Sequence, residues 1–486
     1  VSVAAPGSGR TSATTAHRGA AAPALAFVTL GCPKNTVDSE TMLGLLVADG
    51  FRTVADPRVA DVAVINTCGF LSSAVRESKR AIARLAACRR DGQLRGLIVT
   101  GCLAQREGAT LLDEFPEVDA VLGTGRWRDV ASAARHALAG RNRRFADTRY
   151  PGGALDSLAP RALSTPPHLA YLKISEGCDH RCTFCVIPRL RGDQRSRPIV
   201  DLVAEAERLA ALGVRELNLI GQDTTGYGTD LPGRPTLAEL LAALDRVEGL
   251  SWIRVHYTYP RLWNDRLIET WARARRVVPY VDMPLQHIAQ EMLRRMGRGM
   301  TEPGTRALVR RIRTAIPQVS FRTNFIVGFP GETEQHFETL LRFVEEEAFD
   351  HAVAFIYERE AETPSHAMTP RVPLPTRLRR RARLLELQRR LSAARLSRRI
   401  GDTLTVMIDG RHEVAGRAER HRDPVRWAAR TTGMAYEVDG GVLVEGGDFA
   451  PGQVVQVRVV GAAAYDLFAR VEPLPLPVTL IPKGSA

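Results

Sequence analysis

Residues 176–197 read EGCDHRCTFCVIPRLRGDQRSR and set Cys178, Cys182 and Cys185 in a CxxxCxxC spacing. The apolar run YLKIS (171–175) precedes them, so the three thiols stand just past the end of a strand. Three thiolates on one tight loop can hold three irons of a cubane, leaving the fourth iron open to an outside ligand. Zinc is the rival, because it also takes clustered thiolates and His180 could complete the set. Structural zinc more often uses paired Cys-x-x-Cys knuckles, so spacing and context favour the cluster.

Working downstream, five more β-rich runs follow: ELNLIGQ (216–222), WIRVHYTY (252–259), YVDMPLQ (280–286), FRTNFIVGF (321–329) and AVAFIYE (352–358). Helical stretches such as 200–212 and 332–347 separate them. Six β/α units predict an incomplete parallel barrel over 168–370, with its chemistry at the carboxyl ends of the strands.

Upstream, AFVTL (26–30), VAVINT (62–67), GLIVT (96–100) and AVLG (120–123) alternate with helical stretches at 38–47 and 72–88. That alternation predicts a doubly wound parallel α/β domain over 26–139. Cys32, Cys68 and Cys102 each fall just past one of these strands, one β/α unit after the last. In an open parallel sheet those ends border the crevice where ligands bind, so the three thiols should converge. One such cysteine alone would read as a small buried hydrophobe; three in equivalent places read as a ligand set. Cys88, in the helical stretch AIARLAACRR, has no counterpart and reads as packing or a surface thiol.

The remaining segments are simpler. Residues 1–25 read as a disordered tail, 140–167 as a linker of Arg, Gly, Pro and Ser, and 472–486 as a loose tail. Between 371 and 399 stand eleven arginines against one glutamate, which predicts a long exposed basic helix. From 400 to 471 short β-rich runs (LTVMIDG, YEVDGGVLV, QVVQVRVV) broken by glycine predict a small antiparallel β-barrel of a kind that often touches RNA or protein. The fold class is therefore α/β, with a terminal β-barrel.

A net charge of +13 implies an anionic partner such as RNA or a ribonucleoprotein, with arginine bias from a GC-rich genome as the alternative. No apolar run approaches the roughly 20 residues needed to cross a bilayer, and the first twenty-odd residues lack an apolar signal core. A soluble, cytoplasmic protein with no membrane partner is expected. Seven cysteines, unevenly placed, suit metal or catalysis better than a disulfide framework.

The strings EGCDHRCTFCVIPRLRGDQRSR, LGCPKNTVDSE, INTCGF and TGCLAQR resemble the radical S-adenosylmethionine superfamily in its methylthiotransferase branch, over about 26–471. The terminal barrel resembles a TRAM module. LGCPKNTVDSE, GCLAQR, PEVDAVLGTG, KISEGCDHRCTFCVIP and AYDLFAR look like the ribosomal, RimO-type branch. Pro33 and Lys34 favour that branch over the transfer-RNA-modifying one, whose string is more like GCQMN. Residues 435–440 read AYEVDG where the ribosomal branch tends to have Ala-Pro-Glu-Ile-Asp-Gly, a departure expected to loosen one strand's approach.

The resemblance implies two [4Fe-4S] clusters, one on Cys178, Cys182 and Cys185 and an auxiliary one on Cys32, Cys68 and Cys102. It implies S-adenosyl-L-methionine chelated at the open iron of the first, with Phe184 beside the adenine. By the barrel rule Gly221, Gln222 and Asp223 of GQDTTGY, and Gly328 and Glu332 of IVGFPGET, should face that site, although Gly-rich strand ends can equally be tight turns. Arg322 and His287 depend on strand register and stay outside the candidate set. No catalytic side chain is expected beyond the cluster ligands.

The implied reaction adds a methylthio group to the β-carbon of an aspartate in small-subunit ribosomal protein S twelve, using two S-adenosylmethionine molecules. It requires both clusters to face one cavity. Flavodoxin or ferredoxin is the implied electron donor, and contact with ribosomal RNA is a further expectation. The alternatives are a transfer-RNA methylthiotransferase and a non-catalytic iron–sulfur or zinc RNA-binding protein.

Overall fold

The computed structural model describes residues 22–140, 144–150, 159–412 and 426–471. The expected tails lie outside the described residues, except 22–25, where the first strand already begins. The chain forms two compact units, Val1–Leu385 and Glu386–Ala486.

In the first unit a six-stranded parallel sheet runs in the order β2-β1-β3-β4-β5-β6. Its strands are β1 (Ala24–Thr29), β2 (Arg52–Thr53), β3 (Val62–Thr67), β4 (Gly96–Gly101), β5 (Ala120–Leu122) and β6 (Phe145–Asp147). Every residue of β3 and β4 is buried, as the unbroken apolar runs VAVINT and GLIVTG require of strands covered on both faces. One face packs Leu25, Val62, Val64 and Ile98 against Met42 and Leu46; the other packs Ala63, Ile65, Leu97 and Val99 against Ile82 and Leu85. Cys88 lies against this second core. Helices α1 (Pro33–Ala48), α2 (Ser72–Arg90) and α3 (Cys102–Glu107) follow β1, β3 and β4.

β6 pairs with β5 within the stretch read as linker. Three residues, FAD, are too few to carry a periodic signal, so only the neighbouring strand identifies them. Farther along, Arg161 pairs with Glu40 of α1 at 2.7 Å and with Glu205 at 2.8 Å, stapling the linker to both flanking domains.

The second half of this unit is a parallel array of six strands, β7 (Leu169–Lys173), β10 (Glu216–Ile220), β11 (Trp252–Val255), β12 (Tyr280–Asp282), β13 (Ser320–Val327) and β14 (His351–Ile356). Two short strands, β8 (Ser175–Glu176) and β9 (Arg195–Ser196), pair antiparallel at its mouth. The ladders are β11-β10-β7 and β12-β13-β14, joined by a parallel bridge between Ile253 and Val277. This is an open half-barrel.

The basic segment forms the helix Leu374–Ser397. Its first turns are engaged: Arg380 bonds Glu332 and Glu334, Arg383 bonds Glu334 and Glu338, and Arg377 donates to the Tyr357 carbonyl.

The second unit is a closed five-stranded barrel in the order β15-β16-β17-β19-β18, formed by Thr403–Arg411, Arg426–Arg430, Val442–Glu445, Val454–Ala462 and Leu467–Val471. Val406, Ile408, Trp427, Val444, Val457 and Ala469 fill it. β17 and β19 are parallel, so the barrel is not wholly antiparallel. The YEVDGG string, expected as strand, is a turn instead. Glu437 has φ +54, and a Cβ on Gly440 would fall 1.8 Å from the Tyr465 carbonyl oxygen.

Candidate active site

Two cysteine triads meet on the carboxyl side of both sheets. Cys32 caps the N-terminus of α1, with Pro33 in the first turn, so the thiol faces the positive end of a 16-residue helix. Cys68 follows β3, and Ser78 fixes it by accepting from its N–H at 3.1 Å and donating to its carbonyl at 2.8 Å. Cys102 opens α3 directly after Gly101, whose φ of +96 turns the chain out of β4. A Cβ on Gly31 would stand 3.1 Å from the Cys68 Cβ, and one on Gly69 would stand 2.8 Å from the Cys102 carbonyl carbon. The three loops are therefore pressed together, as the crevice rule predicts.

Asn35 ties this corner, donating to the carbonyls of Leu30 (2.9 Å) and Thr67 (3.1 Å). Arg106 of α3 donates to the Gly69 carbonyl at 2.8 Å and pairs with Glu360 at 2.7 Å and with Glu362. Glu360 also accepts from the Ser72 N–H at the start of α2. Acidic residues just beyond β14 thus clamp α3, which begins at Cys102, and the start of α2, which follows the Cys68 loop.

The second triad sits on the loop between β8 and the one-turn helix Ile187–Arg191. Gln222 accepts from the Gly177 N–H at 2.9 Å. Asp223 accepts from the Thr225 N–H and hydroxyl and meets His180 Nε2 at 2.7 Å. Gln222 and Asp223 therefore brace the cysteine loop from below. His180 also stacks on Tyr259 at 3.6 Å, and its Nε2 is taken by Asp223. Arg298 donates toward Cys182 Sγ at 3.5 Å and lies 4.1 Å over the Tyr259 ring.

The other candidate residues are placed differently. Phe184 packs edge-on against Phe329 at 6.5 Å, within a cluster that includes Met292, Met296 and Tyr357. A Cβ on Gly221 would lie 2.6 Å from Ser175 Oγ, a buried hydroxyl with no hydrogen-bond partner among the described residues. The space left by Gly328, at φ +74, is filled by Arg377, whose Cγ is 2.0 Å from a Cβ built there. Glu332 accepts from the Gly328 N–H at 2.5 Å, meets His287 Nε2 at 3.1 Å and pairs with Arg380 at 2.6 Å. Gly328 and Glu332 thus anchor the helix Leu374–Ser397, while Phe329 between them packs on Phe184 of the cysteine loop. Arg322 bonds Asp282 at 3.1 Å.

Sequence reasoning passed over Arg191. It is 1% exposed and bonds Asp38 at 2.7 Å, Glu176 at 2.5 Å, Asn35 Oδ1 at 2.6 Å and Cys102 Sγ at 3.4 Å. Val186 and Leu190 of the same short segment pack on Cys102. The segment after Cys185 therefore reaches the auxiliary triad within one helical turn, and the triads are neighbours. Its one sequence signal is Gly192, the residue at φ +75 that ends the turn.

The strip His256–Tyr259 runs along both triads. Tyr257, at φ +60, lies under the Lys34 ammonium at 3.3 Å, beside Cys32; two residues on, Tyr259 reaches Arg298 and Cys182.

The electrostatics divide the sulfurs. Burial pushes Cys178 and Cys185 up to about 12, with the neighbouring acid and thiols adding to it. Burial also raises Cys68 to about 11, assisted by Cys102 and Cys32. At Cys32 burial opposes ionisation, but Lys34, Arg191 and two backbone N–H groups outweigh it and hold the thiol below its ordinary value. Among the described residues no three of His, Cys, Asp and Glu stand close enough to ligate one metal ion. What suits a larger iron–sulfur body is the donor set itself: three soft thiols per corner, mutually coupled, with an arginine directed at one sulfur of each.

The comparisons with known proteins fall on the same three regions. Residues 24–123 match the family described as Uncharacterized protein family UPF0004, 172–344 the Radical SAM superfamily, and 400–471 the TRAM domain. The chain is 47% identical to Ribosomal protein uS12 methylthiotransferase RimO of Anaeromyxobacter sp. (strain K), covering 91% of this chain and 92% of that one. It is 42% identical to the protein of the same name from Geobacter sulfurreducens (strain ATCC 51573 / DSM 12127 / PCA), covering 92% and 98%. Among solved structures, the radical S-adenosylmethionine methyltransferase TsrM of Kitasatospora setae, with cobalamin and [4Fe-4S] cluster bound, matches 71% of this chain and 77% of its own at TM-score 0.52. At 16% identity that likeness shows a shared fold.

Proposed function

This chain belongs to the ribosomal protein uS12 methylthiotransferase RimO family, and from that premise we propose that it attaches a methylthio group to the β-carbon of an aspartate in uS12. The observation that carries the reading is the adjacency of two cysteine triads joined by the turn Ile187–Arg191. Cys178, Cys182 and Cys185 would hold one [4Fe-4S] cluster and Cys32, Cys68 and Cys102 the other. When bound, these groups and S-adenosylmethionine supply one-electron cleavage to a hydrogen-abstracting radical and a sulfur that can be methylated and passed on.

The polypeptide supplies position and charge. Arg191, Arg298 and Lys34 set cations beside the sulfurs, where low dielectric strengthens each interaction. Gln222, Asp223 and Asn35 fix the loops that carry them. Tyr257 and Tyr259 link the two corners, one under Lys34 beside Cys32 and the other at Arg298 and Cys182, so a target side chain laid along this strip would run from one triad toward the other. Gly221, Phe184 and the unpartnered Ser175 hydroxyl line the cysteine-loop side and are the residues most suited to receive S-adenosylmethionine.

Flavodoxin or ferredoxin as reductant, ribosomal RNA contact and a cytoplasmic setting complete the reading. Among the described residues no helix is long and apolar enough to cross a membrane. A transfer-RNA methylthiotransferase would share the cysteines, but relatives matched over nine-tenths of the chain are uS12 enzymes. Mass spectrometry of uS12 from strains with and without the gene tests the proposal. Gain of one methylthio group on the target aspartate is expected; an unchanged uS12 alongside altered transfer RNA would refute it.

A further inference from the structure

We propose that Lys34 receives the carboxylate of the target aspartate and makes the site selective for an acidic side chain. The inference rests on the reading of the chain as an aspartate-modifying enzyme.

Lys34 is the second residue of α1, two positions after Cys32, so its backbone is fixed together with the auxiliary triad. Its side chain crosses to the barrel mouth, and the ammonium lies 3.3 Å over the Tyr257 ring. The residue is 8% exposed, yet among the described residues no carboxylate, carbonyl or hydroxyl accepts from it. Two neighbouring buried cations are satisfied. Lys173 pairs with Asp38 and Glu176, and Arg191 pairs with the same two carboxylates and Asn35. Lys34 has the Tyr257 ring and, through charge alone, the Cys32 thiol and Asp282; burying an ammonium with no oxygen to accept its protons is unfavourable, and these neighbours offset only part of that cost. An arriving anion would complete its coordination.

The location suits that role. The ring beneath Lys34 belongs to the strip that continues to Tyr259, beside Cys182. An anion on Lys34 therefore stands beside Cys32, at the end of the strip that leads to Cys182. The β-carbon of an aspartate is bonded directly to its carboxyl carbon, so holding the carboxylate places the reacting carbon within about 1.5 Å of a fixed point. The rival role is simple charge balance for Cys32, which Arg191 already provides in part.

The test uses the reconstituted holoenzyme with two synthetic peptides of the uS12 loop, one carrying the target aspartate and one asparagine in its place. Binding is measured for wild type, K34Q and K34R, with iron per chain determined in parallel. Wild type should bind the aspartate peptide roughly tenfold tighter or more, as a charge-assisted contact implies. K34Q should bind the two peptides alike at unchanged iron content, and K34R should recover part of the preference. A wild type that modifies the aspartate peptide without preferring it in binding would overturn the inference. So would a K34Q that keeps the preference or weakens both peptides equally. K34Q losing iron, with K34R restoring iron but no preference, would assign Lys34 to charge balance and also overturn it. A wild type that modifies neither the peptide nor uS12 would instead sink the proposed function.

Discussion

The guanidinium of Arg191 stands 3.4 Å from the sulfur of Cys102, and the helical turn that carries it begins two residues after Cys185. One short segment thus belongs to both cysteine corners. Its first end is a thiol of the barrel loop; its last is a cation for the sheet domain.

Arg191→Met should be costly, because it leaves Asp38 and Glu176 buried with only Lys173 between them. Removing one partner from such a network typically costs about 3–5 kcal/mol. Thermal melting should show a fall of several degrees. The iron lost should come from the auxiliary corner, read as a retained deoxyadenosine yield with loss of the methylthio product.

The cysteines themselves should separate by triad. Cys182→Ala is expected to abolish deoxyadenosine formation after reduction. Cys68→Ala should leave that cleavage largely intact while sulfur insertion stops. Chromatography of the products checks both, and equal loss in the two variants would contradict separate mounts.

Gly69→Ala tests how tightly the auxiliary loops are packed. A methyl there would stand 2.8 Å from three backbone atoms of Cys102 and Leu103, which cannot rotate away. The loops of Cys68 and Cys102 must part, so the variant should load roughly half the iron of wild type, with four-iron spectra persisting from the other mount.

Acid should weaken the first unit through Glu176. Burial opposes its ionisation, but Lys173 and Arg191 hold its carboxyl down to about 2, against an ordinary 4.5. A depressed folded-state value stabilises the fold above pH 4.5, and that stabilisation is lost as pH falls toward 2. The shift corresponds to about 3 kcal/mol. Urea unfolding between pH 5 and pH 3 should show a shallower pH slope for Glu176→Gln than for wild type.

Much of this architecture is legible along the chain because the apolar runs are long and the cysteines recur at matching points. VAVINT and GLIVT are β3 and β4 to within a residue, and each cysteine of the first domain follows its strand. What escaped reading depends on distant partners. β2 and β6 are two and three residues long and exist only through pairing with β1 and β5. WIRVHYTY scans as one strand, yet β11 ends at Val255 because Tyr257 turns to φ +60. Glu332 sits at a strand end as the barrel rule expects, and its pairing with Arg380, 48 positions later, is a contact no local pattern could announce. Arg191, Arg298 and Lys34 are three basic residues among 67, and only three-dimensional proximity to sulfur or an aromatic ring distinguishes them.

The turn Ile187–Arg191 also constrains how this segment can vary in length. A helix advances about 100° per residue, so one residue inserted or deleted between Cys185 and Arg191 would swing the guanidinium to another side of the axis, away from Asp38 and Cys102. Substitutions inside the turn can be absorbed; changes in its length cannot. The operative cysteine signature of this chain is accordingly longer than its three sulfurs, and runs on through five residues to a fixed arginine.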